Sequence, residues 1–454
     1  MSVAPSIRAE IRATTAVALP LAAANLAQMA MGLTDTIMVG HLGALPLAAA
    51  GLGAALYFTT ATAVQGIVNA VAPLAAHALG AGDRARAGRI AGEGLVLGFL
   101  LSIPFMGMMA MADRLLVLLG YDPALAAEVG RFLRALMLGA PAFIAFSALR
   151  SLLSALERTR AIMVVLLFCI LSNALLNWAL IYGHFGLPAL GIVGSGLASA
   201  INQWLMPVGL LLYIRLAPSL ASLDVLGGVP PRQWRDMTEL LHLGLPIAGI
   251  IALENGVFLA AGLMVGLFGA AALGAHHVVL NCAATTFMIP LGISQAATVR
   301  VAFELGAGRP AAARLAGFVA LALGMSVMVA GAVVMWTMPR TILSAFVDVT
   351  APANADLIAI AVQLFALAAL FQVSDGMQTV AAGALRGYRD ATVPMLLAAV
   401  GYWAIGFLGG WLLAFPLGRG PTGMWWGLVL GTTVVAGLLT LRLYRLSPRK
   451  PTFT

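Results

Sequence analysis

Three carboxylates, Asp35, Glu254 and Asp375, lie deep inside stretches otherwise made of Ala, Leu, Gly, Val and Met. An ionised carboxylate at mid-bilayer depth costs roughly 3 kcal/mol or more, so such a group faces a cavity, a partner or a bound cation. The only lysine is Lys450, and no arginine is expected at comparable depth. The expected partners are therefore polar side chains, a proton or a cation. With amide and hydroxyl oxygens beside it, a buried acid can exchange protons or hold a hard cation such as Na+. The plainer alternative is a protonated acid that is hydrogen-bonded as part of the packing.

Polar residues at helical spacing supply the neighbours. Asn173 and Asn177 stand at i and i+4 on one face, and Ser195 and Ser199 share another. Asn173, Asn177 and Ser195 would complete an oxygen-rich cluster around Asp35, or alternatively link helices to one another. Glu254, Asn255, Asn281, Asp375 and Gln378 form a comparable set in the second half of the chain, and Gln28 is the repeat counterpart of Glu254. Phe287, Met288, Phe371 and Tyr402 could line a route for a bulky cation, with core packing as the alternative. His276 and His277 fall in an outer turn and are expected to face solvent.

The elements that must position these groups are membrane helices. Of 454 residues, 61% are hydrophobic and 9% charged, which excludes a soluble globular class. Apolar runs long enough to cross a bilayer predict twelve spans, at about 14–40, 46–78, 90–112, 126–150, 161–183, 190–214, 237–266, 272–304, 314–338, 354–384, 393–415 and 422–444. Alternation along these spans places 20 basic residues on one side and 5 on the other. The positive-inside rule makes the richer side cytoplasmic, with both termini inside. The net charge of +8 thus reads as topology and not as a nucleic-acid surface. Cys169 and Cys282 sit inside apolar runs, and no HExxH, Walker or CxxC motif is present, so neither a catalytic centre nor a resident cofactor is expected. The early arginines and apolar run could mimic a signal peptide, but Asn25, Gln28 and Asp35 within it argue for a mature helix.

The chain is also written twice. Shifted by 226 residues, Pro20–Gly82 aligns with Pro246–Gly308 without a gap, with 20 of 63 positions identical. A weaker match extends the repeat to six spans per copy. This predicts an all-α integral membrane protein of two pseudo-symmetric lobes: residues 1–214, a cytoplasmic linker at 215–236, and residues 237–454. Asp35 aligns with Ala261, so the scaffold repeats where the acids do not. Pro20, Pro73, Pro104, Pro141, Pro207, Pro246 and Pro290 fall within spans, and Pro20 and Pro246 are the expected hinges.

Three separated stretches, TDTIMVGHLG around Asp35, IPLGISQAATVRVAFELGAG, and GALRGYRD after Asp375, resemble the multidrug and toxic compound extrusion (MATE) transporters, in their NorM-like branch. The resemblance covers nearly the whole chain. It implies two six-helix lobes in a V and export of organic cations in exchange for Na+ or H+. By the motif match, Asp35, Asn173 and Asn177 resemble the first-lobe cation and proton site, with Ser195 where some relatives have Thr. Glu254 and Asp375 resemble the second-lobe acids. Phe371 stands where some relatives have Tyr, and Asn177 where some have Asp, leaving one formal charge in the first-lobe site. Asp35, Asn173, Asn177, Glu254 and Asp375 are then the candidate Na+ ligands, and lipophilic cations the partners of a bacterial inner-membrane monomer. A flippase of lipid-linked oligosaccharides from the same superfamily is the main rival, with a membrane enzyme or passive channel behind it.

Overall fold

The structure, a computed structural model, describes residues 6–223 and 234–446. Most of the expected linker therefore lies outside the described residues. All described elements are helical. Twelve of them are long and apolar enough to cross a membrane: α1 (Ile7–Gly40), α2 (Ala44–Gly80), α3 (Arg84–Ala110), α4 (Pro123–Ala155), α5 (Thr159–Tyr182), α6 (Ile192–Leu216), α7 (Arg235–Gly266), α8 (Ala270–Gly306), α9 (Pro310–Thr337), α10 (Pro352–Gly387), α11 (Thr392–Ala414) and α12 (Gly420–Leu446). In hydrocarbon a helix satisfies every backbone group within its own segment, which is why apolar runs of this length take this form. Turns repeat with the sequence. Gly43 (φ 114°) and Gly269 (φ 101°) open α2 and α8, and Gly82 (φ 80°) and Gly308 (φ 71°) follow them, each in backbone space that favours glycine.

Two spans are interrupted where proline removes a donor. Pro73 cannot bond the Asn69 carbonyl, and Ala72 N takes it instead at 3.2 Å. Before Pro141, the 3₁₀ turn Met137–Gly139 does the same, with Ala140 N bonding Met137 O. Pro20, Pro104, Pro207, Pro246 and Pro290 lie within continuous helices. In α11 the residues Val400–Phe407 form a π-helical stretch.

Contacts divide the chain into two compact units. The amino-terminal unit is Ala23–Ala248; the carboxy-terminal unit comprises the described residues of Met1–Ala22 and Gly249–Thr454. The chain passes between units inside α1 and again inside α7, in each case two residues beyond the paired prolines.

Within the carboxy-terminal unit, α11 and α12 meet along glycines. A Cβ on Gly427 would lie 2.3 Å from both Gly406 O and Gly410 Cα, and one on Gly431 would lie 2.6 Å from Gly401 O. Small residues let membrane helices approach backbone to backbone, and dispersion then holds them. Gly427→Val should therefore destabilise the detergent-purified protein by about 2 kcal/mol or more. Gly437→Val, where nothing lies within 4 Å, should leave the thermal melt unchanged. Equal melts for the two variants would contradict the packing described.

Candidate cation sites

In the amino-terminal unit three helices converge on Asp35. Asn173 and Asn177, one turn apart on α5, donate through their amide nitrogens to Asp35 Oδ1 at 3.0 and 2.6 Å. From α6, Ser199 Oγ donates to Asp35 Oδ2 at 2.9 Å. Asp35 itself is half-buried, whereas Asn173 and Asn177 are fully buried. Three more buried oxygens, Asn173 Oδ1, Asn177 Oδ1 and Ser195 Oγ, have no hydrogen-bond partner. Buried polar atoms are rarely left unmatched, so two on the very asparagines that hold Asp35 need a reason. The expected serine changes: Ser199, not Ser195, touches the acid. The four-residue spacing put both on one face, and periodicity alone cannot choose between them.

In the carboxy-terminal unit the link is a relay. Tyr402 OH donates to Gln378 Oε1 at 2.6 Å, and Gln378 Nε2 donates to Asp375 Oδ1 at 2.9 Å. Because the phenol hydrogen goes to Oε1, the amide is oriented with its nitrogen toward the carboxylate. All three side chains are buried. Tyr402 sits on the π-helical stretch of α11, a backbone form that recurs at functional positions. Glu254, Gln378 and Tyr402 line a small cavity together with Val257, Phe258 and Thr432. It has room for about one water molecule. Asp375 lies within electrostatic range of Glu254. Phe371 is buried and stacks edge-on against Phe258 and Trp425, at centroid distances of 5.8 and 6.0 Å. Among the described residues no three His, Cys, Asp or Glu side chains gather as a metal cluster. A cation in either unit would thus be held by one or two carboxylates with neutral oxygens.

Several expected site residues lie elsewhere. Asn281 is exposed and donates to its own helix at His277 O, 2.9 Å away. Asn255, Phe287 and Met288 are half-buried and do not line the cavity. His276 is not solvent-facing: it is 1% exposed, and its Nδ1 accepts the Trp425 indole N–H at 3.1 Å. The outer-turn position hid this, because the partner comes from α12, 149 residues away. No deep arginine is expected to pair with the three acids; two arginines near span ends do reach other intramembrane polar groups. Arg150 is buried in the amino-terminal unit, donating to Asn25 Oδ1 at 2.5 Å and to Gln28 Oε1 at 3.2 Å. Gln28 is thus engaged by a cation of the protein itself. Arg386, half-buried, bonds Ser294 Oγ at 2.9 Å and lies within electrostatic range of Glu254. Both arginines lie within one or two turns of a span end, where a long side chain reaches back along its helix.

Duplicated membrane repeats, with an intramembrane acid in each unit held by neutral side chains, define a helical transporter scaffold. The MatE family pattern matches residues 20–179 and again 246–412, one match per repeat, beginning at the two paired prolines. The chain belongs to the MATE family of membrane transporters. It is 42% identical over 443 residues to the probable multidrug resistance protein NorM of Mesorhizobium japonicum, covering 96% of this chain and 94% of that one. It is equally similar to the multidrug resistance protein NorM of Burkholderia vietnamiensis, over 97% and 95% of the two chains. Among solved structures, the eukaryotic MATE transporter AtDTX14 superposes with a TM-score of 0.88 at 24% identity, covering 96% of both chains. The Vibrio cholerae MATE transporter VcmN superposes at 0.85 and 17% identity, over 97% of both. These likenesses establish the fold.

The His276–Trp425 bond generates a stability prediction that is independent of transport. Trp425→Phe keeps most of the ring volume but leaves His276 Nδ1 buried without a donor, which should cost about 1–3 kcal/mol. Thermal unfolding in detergent measures it, and a melt equal to that of the unmodified protein would show that the bond carries no stability.

Proposed function

We propose that the chain is a secondary antiporter that exports lipophilic organic cations, drugs and dyes among them, in exchange for H+ or Na+. The names of the NorM relatives support the drug reading. The observation that carries the coupling is Asp35 with its three donors and the two unpartnered oxygens on its own asparagine partners. As arranged, the amide nitrogens and the serine hydroxyl answer a negative carboxylate. Turning the two amides by half a rotation would present Asn173 Oδ1 and Asn177 Oδ1 to the same point, and the acid would then share a shell of oxygens suited to Na+. Protonation asks for less: the acid becomes a donor, and one amide turns to accept. Either cation neutralises the site, so a proton and Na+ are alternative fillings of one cluster. These residues fit Na+ as a transported ion and not as a resident metal.

In the other unit, Asp375 and Glu254 are the attachment points for coupling ion or cargo, with the Tyr402–Gln378 relay orienting Asp375. Exchange follows if ion and drug stabilise different states through these acids, so that each lowers the affinity for the other. A cavity with room for about one water holds an ion but no drug. Cargo therefore requires the Phe258 and Tyr402 walls, with Phe371 packed behind Phe258, to part, and their apolar faces suit a flat cation. Flippase activity on an anionic lipid pyrophosphate is disfavoured by acids at this cavity. The same reading places the protein in the bacterial cytoplasmic membrane as a monomer with both termini inside, its basic residues lying against anionic lipid and not nucleic acid.

Asp35→Asn, Glu254→Gln and Asp375→Asn should each abolish gradient-driven export of a dye from everted vesicles while membrane levels stay near normal. Vesicles energised with an imposed pH gradient or an imposed Na+ gradient identify the coupling ion. Export at the unmodified rate in all three variants would refute the assignment of the acids.

A further inference from the structure

Glu10 and Asp236 occupy the same place in the two repeats, since 236 − 10 = 226, and each lies ten residues before a paired proline. Both are buried, at 0% and 3% exposure. Glu10 receives a two-pronged contact from Arg300 of α8, Nε to Oε1 at 3.0 Å and Nη2 to Oε2 at 2.8 Å. Asp236 receives Arg86 of α3 through Nε and Nη2, both on Oδ1 at 3.3 Å, with Arg89 Nε 4.0 Å from Oδ2, and Arg86 Nη2 also reaches Glu239 Oε2 at 3.0 Å. The arginines are not repeat partners of each other. Leu74 stands where the first copy would have Arg300, and Ala312 where the second would have Arg86. The acid is duplicated, and each copy is answered from a different helix.

A second contact is duplicated with it. A Cβ on Gly292 would lie 2.7 Å from Ala22 N and 3.0 Å from Ala18 O, so α1 and α8 touch backbone to backbone. A Cβ on Gly244 would lie 2.3 Å from Ile67 O, the same approach between α7 and α2. The register agrees, because 18 + 226 = 244 and 66 + 226 = 292, where Gly66 precedes Ile67. Each docking lies within a single compact unit. It is not the unit that holds the rest of the helix: α1 up to Ala22 belongs with Arg300, whereas Asp35 belongs with Ala23–Ala248. Likewise α7 up to Ala248 belongs with Arg86, and Glu254 belongs to the other unit.

We propose that Glu10 and Asp236 are positioning residues for transport: they pin the first part of α1 and of α7 so that filling of Asp35 or Glu254, farther along the same helix, acts on both units. This rests on the antiport reading above. A helix transmits displacement and rotation along its hydrogen-bonded backbone only if its far end is held. The bidentate contact at Glu10 restrains both movements, and at Asp236 Arg86 holds one carboxylate oxygen while Arg89 lies 4.0 Å from the other; a lone apolar contact restrains neither. Loss of the pin should leave the ion and drug sites able to fill but unable to drive the exchange.

The test uses the full-length protein, purified and reconstituted, with tetraphenylphosphonium as probe. Glu10→Gln and Asp236→Asn should bind the probe with a Kd within about threefold of the unmodified protein, with the pH or Na+ dependence of binding retained, while gradient-driven transport falls about tenfold or more, a change in the range of ordinary site-to-site coupling. The paired exchange Glu10→Arg with Arg300→Glu should recover transport. If Glu10→Gln fails to reach the membrane, Arg300→Lys keeps the charge, loses the two-pronged contact and is read the same way. Transport within about twofold of normal in the tested variants would overturn the proposal, as would loss of binding in proportion to transport, which marks a purely structural role. Absence of any pH- or Na+-dependent binding in the unmodified protein would instead sink the antiport reading, and this proposal with it.

Discussion

A carboxylate placed in hydrocarbon must be answered, and the rest of this molecule follows from how three of them are. Water is too scarce to solvate the charge, so the protein supplies donors, a counter-charge or an exchangeable cation. For Asp35 the answer is three neutral donors and no basic side chain among them. Neutral donors stabilise the ionised acid without cancelling its charge, so a cation retains a reason to bind. A fixed arginine at that point would have filled the site permanently. Arg150 of the same unit is directed at Asn25 and Gln28.

The two units solve the same problem differently. In one, a single acid is surrounded by amides from one helix and a hydroxyl from another. In the other, two acids lie within electrostatic range of each other and one of them, Glu254, also of Arg386, while a phenol–amide relay orients Asp375. The unequal acids explain why the chemistry of the two units need not be shared. One unit has capacity for one charge, and the other has two acids partly offset by a cation of the protein.

Much of this was legible before any coordinates. Apolar runs, the arginine asymmetry and the 226-residue repeat predict twelve spans, and twelve are found with ends displaced by a few residues. Asn173 and Asn177 share the face their spacing gives and meet Asp35, and of the second polar set Asp375 and Gln378 come together. What was hidden depends on distant pairing. Ser199 replaces Ser195 because a helix face is wider than one residue. Asn281 turns to its own backbone, a choice open to any amide on a helix. His276 is buried because Trp425 arrives from the far end of the sequence. Arg150 and Arg386 reach inward along their helices, and a count of residues from the span end does not show which way a long side chain lies.

The passage of α1 and α7 between units gives the protein the connectivity of a swapped dimer joined into one chain. If two separate half-length chains assembled this way, each would lend its opening half-helix to its neighbour. Fusion of two such chains would have cost nothing in packing, since the exchange was already made. It would, however, have released the two halves from having to remain identical. An acid could then be gained at position 254 and another kept at position 35, something that a true homodimer, with every site present twice, has no means to do.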